Sequence, residues 1–215
     1  MPALIRIDFV SDVSCPWCAI GLSALEQAIA NIGDEAQVAI EFQPFELNPD
    51  MAPEGEDITE HLSRKYGASP EQLAQTREMI RQRGAELGFT FTPGKRDRIY
   101  NTFDAHRLLH WAAEEGLQLP LKRALFTAYF TDGESPANHD VLLRVADEVG
   151  LNPERAREIL ASDDYADAVR AQEQFFLRNG INSVPAVIVN EQYLIQGGQP
   201  VEAFEQALRK IAALD

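Results

Sequence analysis

At 215 residues the chain has the length of one or two compact domains, and folding would bury roughly 70% of its unfolded surface, enough for a core without disulfide staples. Nineteen Lys and Arg against 34 Asp and Glu leave a net charge of −15, a field that repels phosphate backbones and anionic lipid and argues against nucleic-acid and membrane partners. Two cysteines are too few for a secreted disulfide scaffold, Met1 to Asp8 carries no basic-then-apolar export signal, and no apolar run is long enough to span a bilayer, so a cytoplasmic location is expected.

Leu4 to Val10 mixes β-branched and aromatic residues in partial alternation, as a strand does. Leu22, Leu25, Ile29 and Ile32 then recur at helical spacing across Ala19 to Ile32. Val38 to Phe42 is short enough for a second strand parallel to the first, which closes a right-handed β-α-β unit. From Asp57 the texture turns helical: Ile58 to Tyr66, Pro70 to Leu87, Arg98 to Glu115, Leu119 to Phe130, Asn138 to Val149, Pro153 to Leu160 and Asp163 to Arg178. Ser69-Pro70-Glu71 and Asn152-Pro153-Glu154 supply a polar N-cap, a proline in the first turn and an acidic residue, while Gly67, Gly88, Gly116 and Gly150 mark exits. Ala186 to Val189 and Tyr193 to Ile195 return to strand, and a last helix from about Pro200 packs through Val201, Phe204, Leu208 and Ile211. The expected fold is α/β. A discontinuous sheet domain spans 1–50 and 181–215, a helical insertion spans 51–180, and the cleft between them is the natural substrate site.

The segment Asp12-Val13-Ser14-Cys15-Pro16-Trp17-Cys18 lies directly after the first strand and opens the first helix. Two intervening residues let both sulfurs meet within one helical turn, and Pro16 suits the first helical position because the amide it lacks has no intrahelical partner there. At the exposed end of the pair, Cys15 meets unpaired N–H groups and the positive end of the helix dipole, which favour a thiolate. Cys15 is the expected nucleophile and Cys18, one turn deeper, the resolving thiol. Half of a zinc site is the competing reading, but structural zinc takes four ligands, no second cysteine pair exists, and His61, His106, His110 and His139 show no ligand spacing, so no metal is expected. Val184-Pro185 falls immediately before the returning strand, where a cis-proline turn would place the Val184 carbonyl and amide beside Cys15 as an edge for a substrate peptide.

With these residues the chain resembles the DsbA-like branch of the thioredoxin superfamily, a thioredoxin-like domain with a large helical insertion. Asp12, Gly21, the Asn101-Thr102-Phe103-Asp104-Ala105-His106-Arg107 segment and Gly197-Gly198-Gln199-Pro200 further resemble the FrnE-like proteins. The resemblance implies a thiol-disulfide oxidoreductase with Cys15 attacking, Cys18 resolving and Pro185 as the cis residue beside them. It implies no tightly bound cofactor beyond the redox-active disulfide, a protein or small-molecule thiol or disulfide as substrate, and glutathione or a cellular thiol-reducing system as candidate redox partners. Kappa-class glutathione transferases and 2-hydroxychromene-2-carboxylate isomerases share the layout but commonly carry serine where Cys15 stands. A glutathione-dependent transferase or isomerase, and a peptide-binding module with an incidental cysteine pair, are the alternatives.

Around the pair, Asp12 reads first as a turn residue, since a carboxylate opposes a second negative charge at Cys15. Trp17 is a rim platform for substrate or packs against Phe9 or the helical block. Asn101, Thr102 and His106 fall on an expected helix, with Thr102 and His106 sharing a face. They either look into the cleft, binding a carbonyl and moving a proton, or cap and pack. Arg77, Arg81, Arg83, Lys95, Arg96 and Arg98 form a basic cluster that reads as solvated surface or as the seat of an anionic substrate end. The helical block also offers a surface for a homodimer.

Overall fold

The computed structural model describes residues 3–52 and 54–214; Met1, Pro2, Pro53 and Asp215, which fall within the expected domain limits, lie outside the described residues. A four-stranded sheet is formed by β1 (Ala3–Ser11), β2 (Ala36–Pro44), β5 (Ala186–Val189) and β6 (Tyr193–Gln196) in the order β2-β1-β5-β6. β1 and β2 are parallel, joined through α1 (Pro16–Ile32), while β5 runs antiparallel to both β1 and β6. The pleat of β1 sends Ile5, Ile7 and Phe9 to one face, where they pack in a cluster with Leu22 and Leu25 of α1 and Phe204, Leu208 and Ile211 of α9 (Val201–Ala212). Val10, on the opposite face, meets Phe176, Ile181 and Ala186. Full burial of each large side chain contributes roughly 1.5–3 kcal/mol.

The chain between β2 and β5 carries α2 (Ile58–Tyr66), α3 (Pro70–Glu86), α4 (Phe103–Glu114), α5 (Gln118–Phe126), α6 (His139–Glu148), α7 (Pro153–Leu160) and α8 (Ala166–Arg178). Their sequence signals act as expected. Ser69 and Gln72 close a reciprocal capping box at α3, Asn152 accepts from Glu154 and Arg155 at α7, and Gly67 ends α2 in the left-handed conformation. α4 to α7 bury Leu108, Trp111, Leu121, Leu125, Val145 and Ile159 in a second core, which also holds Val13. Val13 therefore anchors the loop after β1 in the helical core, while Cys15 and Cys18 belong to the sheet core. The candidate site sits at the seam between the two.

Two expected helices differ. Arg98–Ile99 is a strand, β4, paired antiparallel with β3 (Glu56–Asp57), and the helix starts only at Phe103. A two-residue ribbon is too short to impose a period on the sequence, and Gly55 permits it: at φ +69°, a Cβ there would fall 2.1 Å from the Ile99 carbonyl oxygen. The helix expected to Phe130 stops as α-helix at Phe126 and continues as a π-helical segment over Thr127–Asp132. That segment places Tyr129 and Phe130 in the sheet core.

Candidate functional site at the first helix

Cys15 is the N-cap of α1 with extended backbone (φ −90°, ψ 112°), Pro16 opens the helix, and Cys18 N–H donates to the Cys15 carbonyl at 3.1 Å. Both cysteines are free thiols. Cys15 was expected at an exposed end, but it is only 3% accessible against 0% for Cys18. The reason is the loop before β5: Cys15 Sγ donates to the Val184 carbonyl at 3.8 Å, and the Val184–Pro185 bond is cis. The partly exposed rim is Pro16 and Trp17, with Trp17 half-buried against the cluster that contains Phe9 and Phe130.

Two glycines let this assembly close. A Cβ on Gly21 would come to 3.2 Å of Pro185 Cγ, and one on Gly198 to 3.0 Å of the Trp17 carbonyl oxygen. Gly198 thus joins strand to helix as expected and also lets that connection pass against the first turn of α1, which its position in the sequence alone does not show.

Burial pushes the Cys18 thiol well up, reinforced by the hydrogen bond and charge of Cys15, while the Lys122 charge and an Asp12 backbone contact pull the other way. Cys18 therefore holds its proton more firmly than an ordinary thiol.

Asp12 is buried and does more than turn the chain. Its carboxylate accepts from Ser14 N (3.3 Å), Ser14 Oγ (3.0 Å) and Leu47 N (2.7 Å). His106 Nε2 lies 3.4 Å from Asp12 Oδ1, poorly aligned for a hydrogen bond, so its interaction is chiefly electrostatic. Burial alone would push Asp12 up, but attraction to His106, the Leu47 N–H and the Thr102 hydroxyl together hold it below the ordinary carboxylate value. Thr102 and His106, both buried, thus converge on Asp12. Asn101 does not, nor is it helical. Its Oδ1 accepts from Phe103 N at 2.9 Å and its Nδ2 donates to the Met51 carbonyl at 3.2 Å, so it caps α4 and ties it to the segment after β2.

Lys122, absent from the sequence reading of the site, is fully buried on α5, and its Nζ has no hydrogen-bond partner among the described residues. The ammonium lies 5.6 Å from the Phe42 ring centroid and 5.1 Å from that of Phe126. Burial draws it down to about 8, against the charges of Cys18, Asp12 and Cys15, which favour the ammonium. The available signal was a lysine on the apolar stripe of a helix, beside Leu121, Leu125 and Phe126.

A second ionisable group lies behind the loop that follows β2. Glu46 pairs with Arg170 of α8, which also reaches Glu173 at 2.8 Å and stacks 3.7 Å over Phe103. One oxygen of each glutamate is buried without a hydrogen-bond partner among the described residues. Burial and the Glu173 charge raise Glu46 to about 7, against the pull of Arg170. A carboxyl raised on folding adds stability that is complete below its unfolded value and is lost as pH rises through the folded one. Glu46 accordingly withdraws on the order of 1–2 kcal/mol between about pH 4.5 and 7, after discounting for the solvent-facing side of Arg170. Urea titrations across that window should show the slope in the wild type and most of it gone in Glu46→Gln; an equal slope in both would contradict the assignment.

The DSBA-like thioredoxin domain family matches residues 6–209, nearly the whole chain. The chain belongs to that family. Among similar proteins, YwbO of Bacillus subtilis (strain 168) is 28% identical over 207 residues, covering 95% of this chain and 96% of its own. A probable DsbA oxidoreductase from Streptomyces coelicolor is 34% identical with a TM-score of 0.91, over 98% of this chain and 91% of that one. A putative protein disulfide isomerase from Nitrosomonas europaea shares the fold, at 21% identity and TM-score 0.75, over 98% of each chain. The DSBA-like assignment makes the α/β architecture a thioredoxin-like fold with inserted helices, and makes the protein a member of a thiol-disulfide oxidoreductase family. Among the described residues, no helix is long and apolar enough to cross a membrane.

Proposed function

We propose that this protein is a cytoplasmic thiol-disulfide oxidoreductase of the FrnE-like branch, exchanging electrons with protein or small-molecule thiols through a reversible Cys15–Cys18 disulfide. The observation that carries the reading is the placement of Cys15 at the N-cap of α1, its Sγ against the Val184 carbonyl, with the more deeply buried Cys18 one turn on. In the reducing direction the Cys15 thiolate attacks one sulfur of a substrate disulfide, and the other substrate sulfur leaves as a thiolate. Cys18 then gives up its proton and attacks Cys15 Sγ. The second substrate sulfur leaves, and the protein holds the disulfide while the substrate has gained two electrons. A cellular thiol pool such as glutathione then returns the Cys15–Cys18 disulfide to the dithiol; the reverse sequence oxidises a dithiol and leaves the protein reduced, so that in this direction a second disulfide, such as oxidised glutathione, must restore it. Val184, ahead of Pro185, offers its backbone as an edge on which an extended substrate lies beside Cys15.

The test is trapping. Cys18→Ser should accumulate a mixed disulfide through Cys15 when challenged with cell extract or a model disulfide, and Cys15→Ser should accumulate none. Equal labelling of the two variants, or substrate turnover that survives Cys15→Ser, would overturn the reading.

A further inference from the structure

The basic residues singled out in the sequence do not form one solvated surface. Arg81 is neutralised by Glu78 through two hydrogen bonds of 2.6 and 2.8 Å, and Arg98 is tied to the carbonyls of Glu54 and Gly55. Arg77 donates to the Thr59 hydroxyl at 2.7 Å but meets no carboxylate among the described residues. Arg96 is different again. Its half-buried guanidinium lies over the rings of Tyr129 and Phe130, 5.3 and 5.1 Å from their centroids, and among the described residues it has no hydrogen-bond or ion-pair partner.

Arg77 and Arg96 line a cavity of about 280 Å³ between α3 and the segment leading to β4, walled on the apolar side by Ile58, Phe91 and Phe130. Pockets for whole small ligands run about 300–1,000 Å³, so this one takes an arm of a molecule rather than all of it. Neither cysteine lines this cavity, but two of its wall residues lead to the redox pair. Phe130 belongs to the same apolar cluster as Cys15 and Cys18, and Cys15 lies near enough to Arg96 and Tyr66 to influence the ionisation of both.

We infer that Arg96, supported by Arg77, is a carboxylate-recognition subsite of the redox site, and that the preferred substrate is a low-molecular-weight disulfide bearing carboxylates. The inference rests on the exchange activity proposed above and names its substrate class. A guanidinium that lies over two rings and meets no acceptor among the described residues keeps its planar fork of N–H donors free, and that fork binds a carboxylate through paired hydrogen bonds. An unpaired, half-buried cation is unfavourable by itself, and a bound carboxylate supplies the missing partner. In a protein of net charge −15, two cations in one cavity that meet no carboxylate among the described residues also attract an anion that the rest of the surface repels. In the reaction, Cys15 attacks the disulfide sulfur whose carboxylate arm lies on Arg96. The distal half leaves as a thiolate, the arm stays in the cavity as the mixed disulfide, and Cys18 displaces it.

The experiment compares second-order rates of the reduced protein with oxidised glutathione, which is acidic, and bis(2-hydroxyethyl) disulfide, which is neutral. The wild type should favour the acidic disulfide, and Arg96→Gln should lower the acidic-to-neutral rate ratio by about tenfold, the effect of losing a charge-assisted bond worth roughly 1.4 kcal/mol. Arg77→Gln should lower the ratio less, and raising salt to 0.5 M should shrink it in the wild type without any substitution, a readout independent of how the variants fold. A ratio unchanged by Arg96→Gln, or a wild type that is salt-insensitive and indifferent between the two disulfides, would overturn the subsite and leave the exchange activity standing. A wild type inert toward both disulfides and toward protein disulfides would instead overturn the proposed function.

Discussion

Asp12→Ala is expected to lower the stability of the folded protein by about 3 kcal/mol at pH 7, the low end of the cost of removing one partner from a buried charge network. The substitution strands the Leu47 and Ser14 N–H groups, which Asp12 holds at 2.7 and 3.3 Å, and leaves His106 Nε2 in a buried pocket without its anion. The pH profile separates this from a simple packing loss. The Asp12 carboxyl is held below its ordinary value of 3.8, so its contribution is fully present above that value and is lost as pH falls through the lower, folded value. Denaturation midpoints of wild type and Asp12→Ala should lie far apart at pH 7 and converge below about pH 3.8. A gap that stays undiminished well below that pH, or a gap under about 1 kcal/mol at pH 7, would show that the buried carboxylate is not what joins β1 to the helical block.

Lys122→Met should act in the opposite sense. Burial depresses the ammonium from 10.5 to about 8, and a depression of that size corresponds to on the order of 3 kcal/mol of unfavourable burial at neutral pH. A depressed base contributes stability that is complete above its unfolded value and is lost as pH falls through the folded one. The stabilisation in Lys122→Met should therefore be greatest below about pH 8 and fade toward pH 10.5. Methionine keeps much of the volume between Phe42 and Phe126 and brings no charge. The same substitution removes a cation that pulls the Cys18 thiol down, so Cys18 should titrate higher and the mixed disulfide on Cys15 should persist longer. Urea melts at pH 7 and pH 10, with the decay of a preformed mixed disulfide, check both halves. A variant that is less stable at pH 7, or that resolves the mixed disulfide as fast as wild type, would remove Lys122 from the electrostatics of the pair. Stabilisation together with slower resolution is the pattern of a charge kept for chemistry at the expense of folding.

Most of the architecture was legible because it depends on local rules. Ser69-Pro70 and Asn152-Pro153 begin helices where polar caps and proline say they should, and Ala186 to Val189 is a strand because four apolar residues between loops have little else to become. The failures fall where no local rule operates. Arg98–Ile99 pairs with residues more than forty positions earlier, and the π-helical segment after Phe126 has no periodic signature of its own. Asn101 and Thr102 fall within the expected helix only by their place in the sequence, whereas Thr102 is the N-cap of α4 and Asn101, one residue before it, accepts from the first helical N–H.

The candidate site divides along the same line. Cys15, Pro16 and Cys18 are contiguous, and their chemistry follows from their types, their spacing and the strand before them, all of which the linear chain carries. What surrounds them comes from distant segments: Val184 at the Cys15 sulfur, Thr102 and His106 at Asp12, Lys122 among Phe42 and Phe126, and Arg96 over Tyr129 and Phe130. Amino-acid type and spacing determined the α/β class, the caps and the reactive pair, because these act over a few residues. Only the folded molecule decided how deeply Cys15 is covered, that Asp12 is a charge hub as well as a turn residue, and that one lysine is fully buried, because burial and electrostatic pairing depend on which distant segments exclude water together.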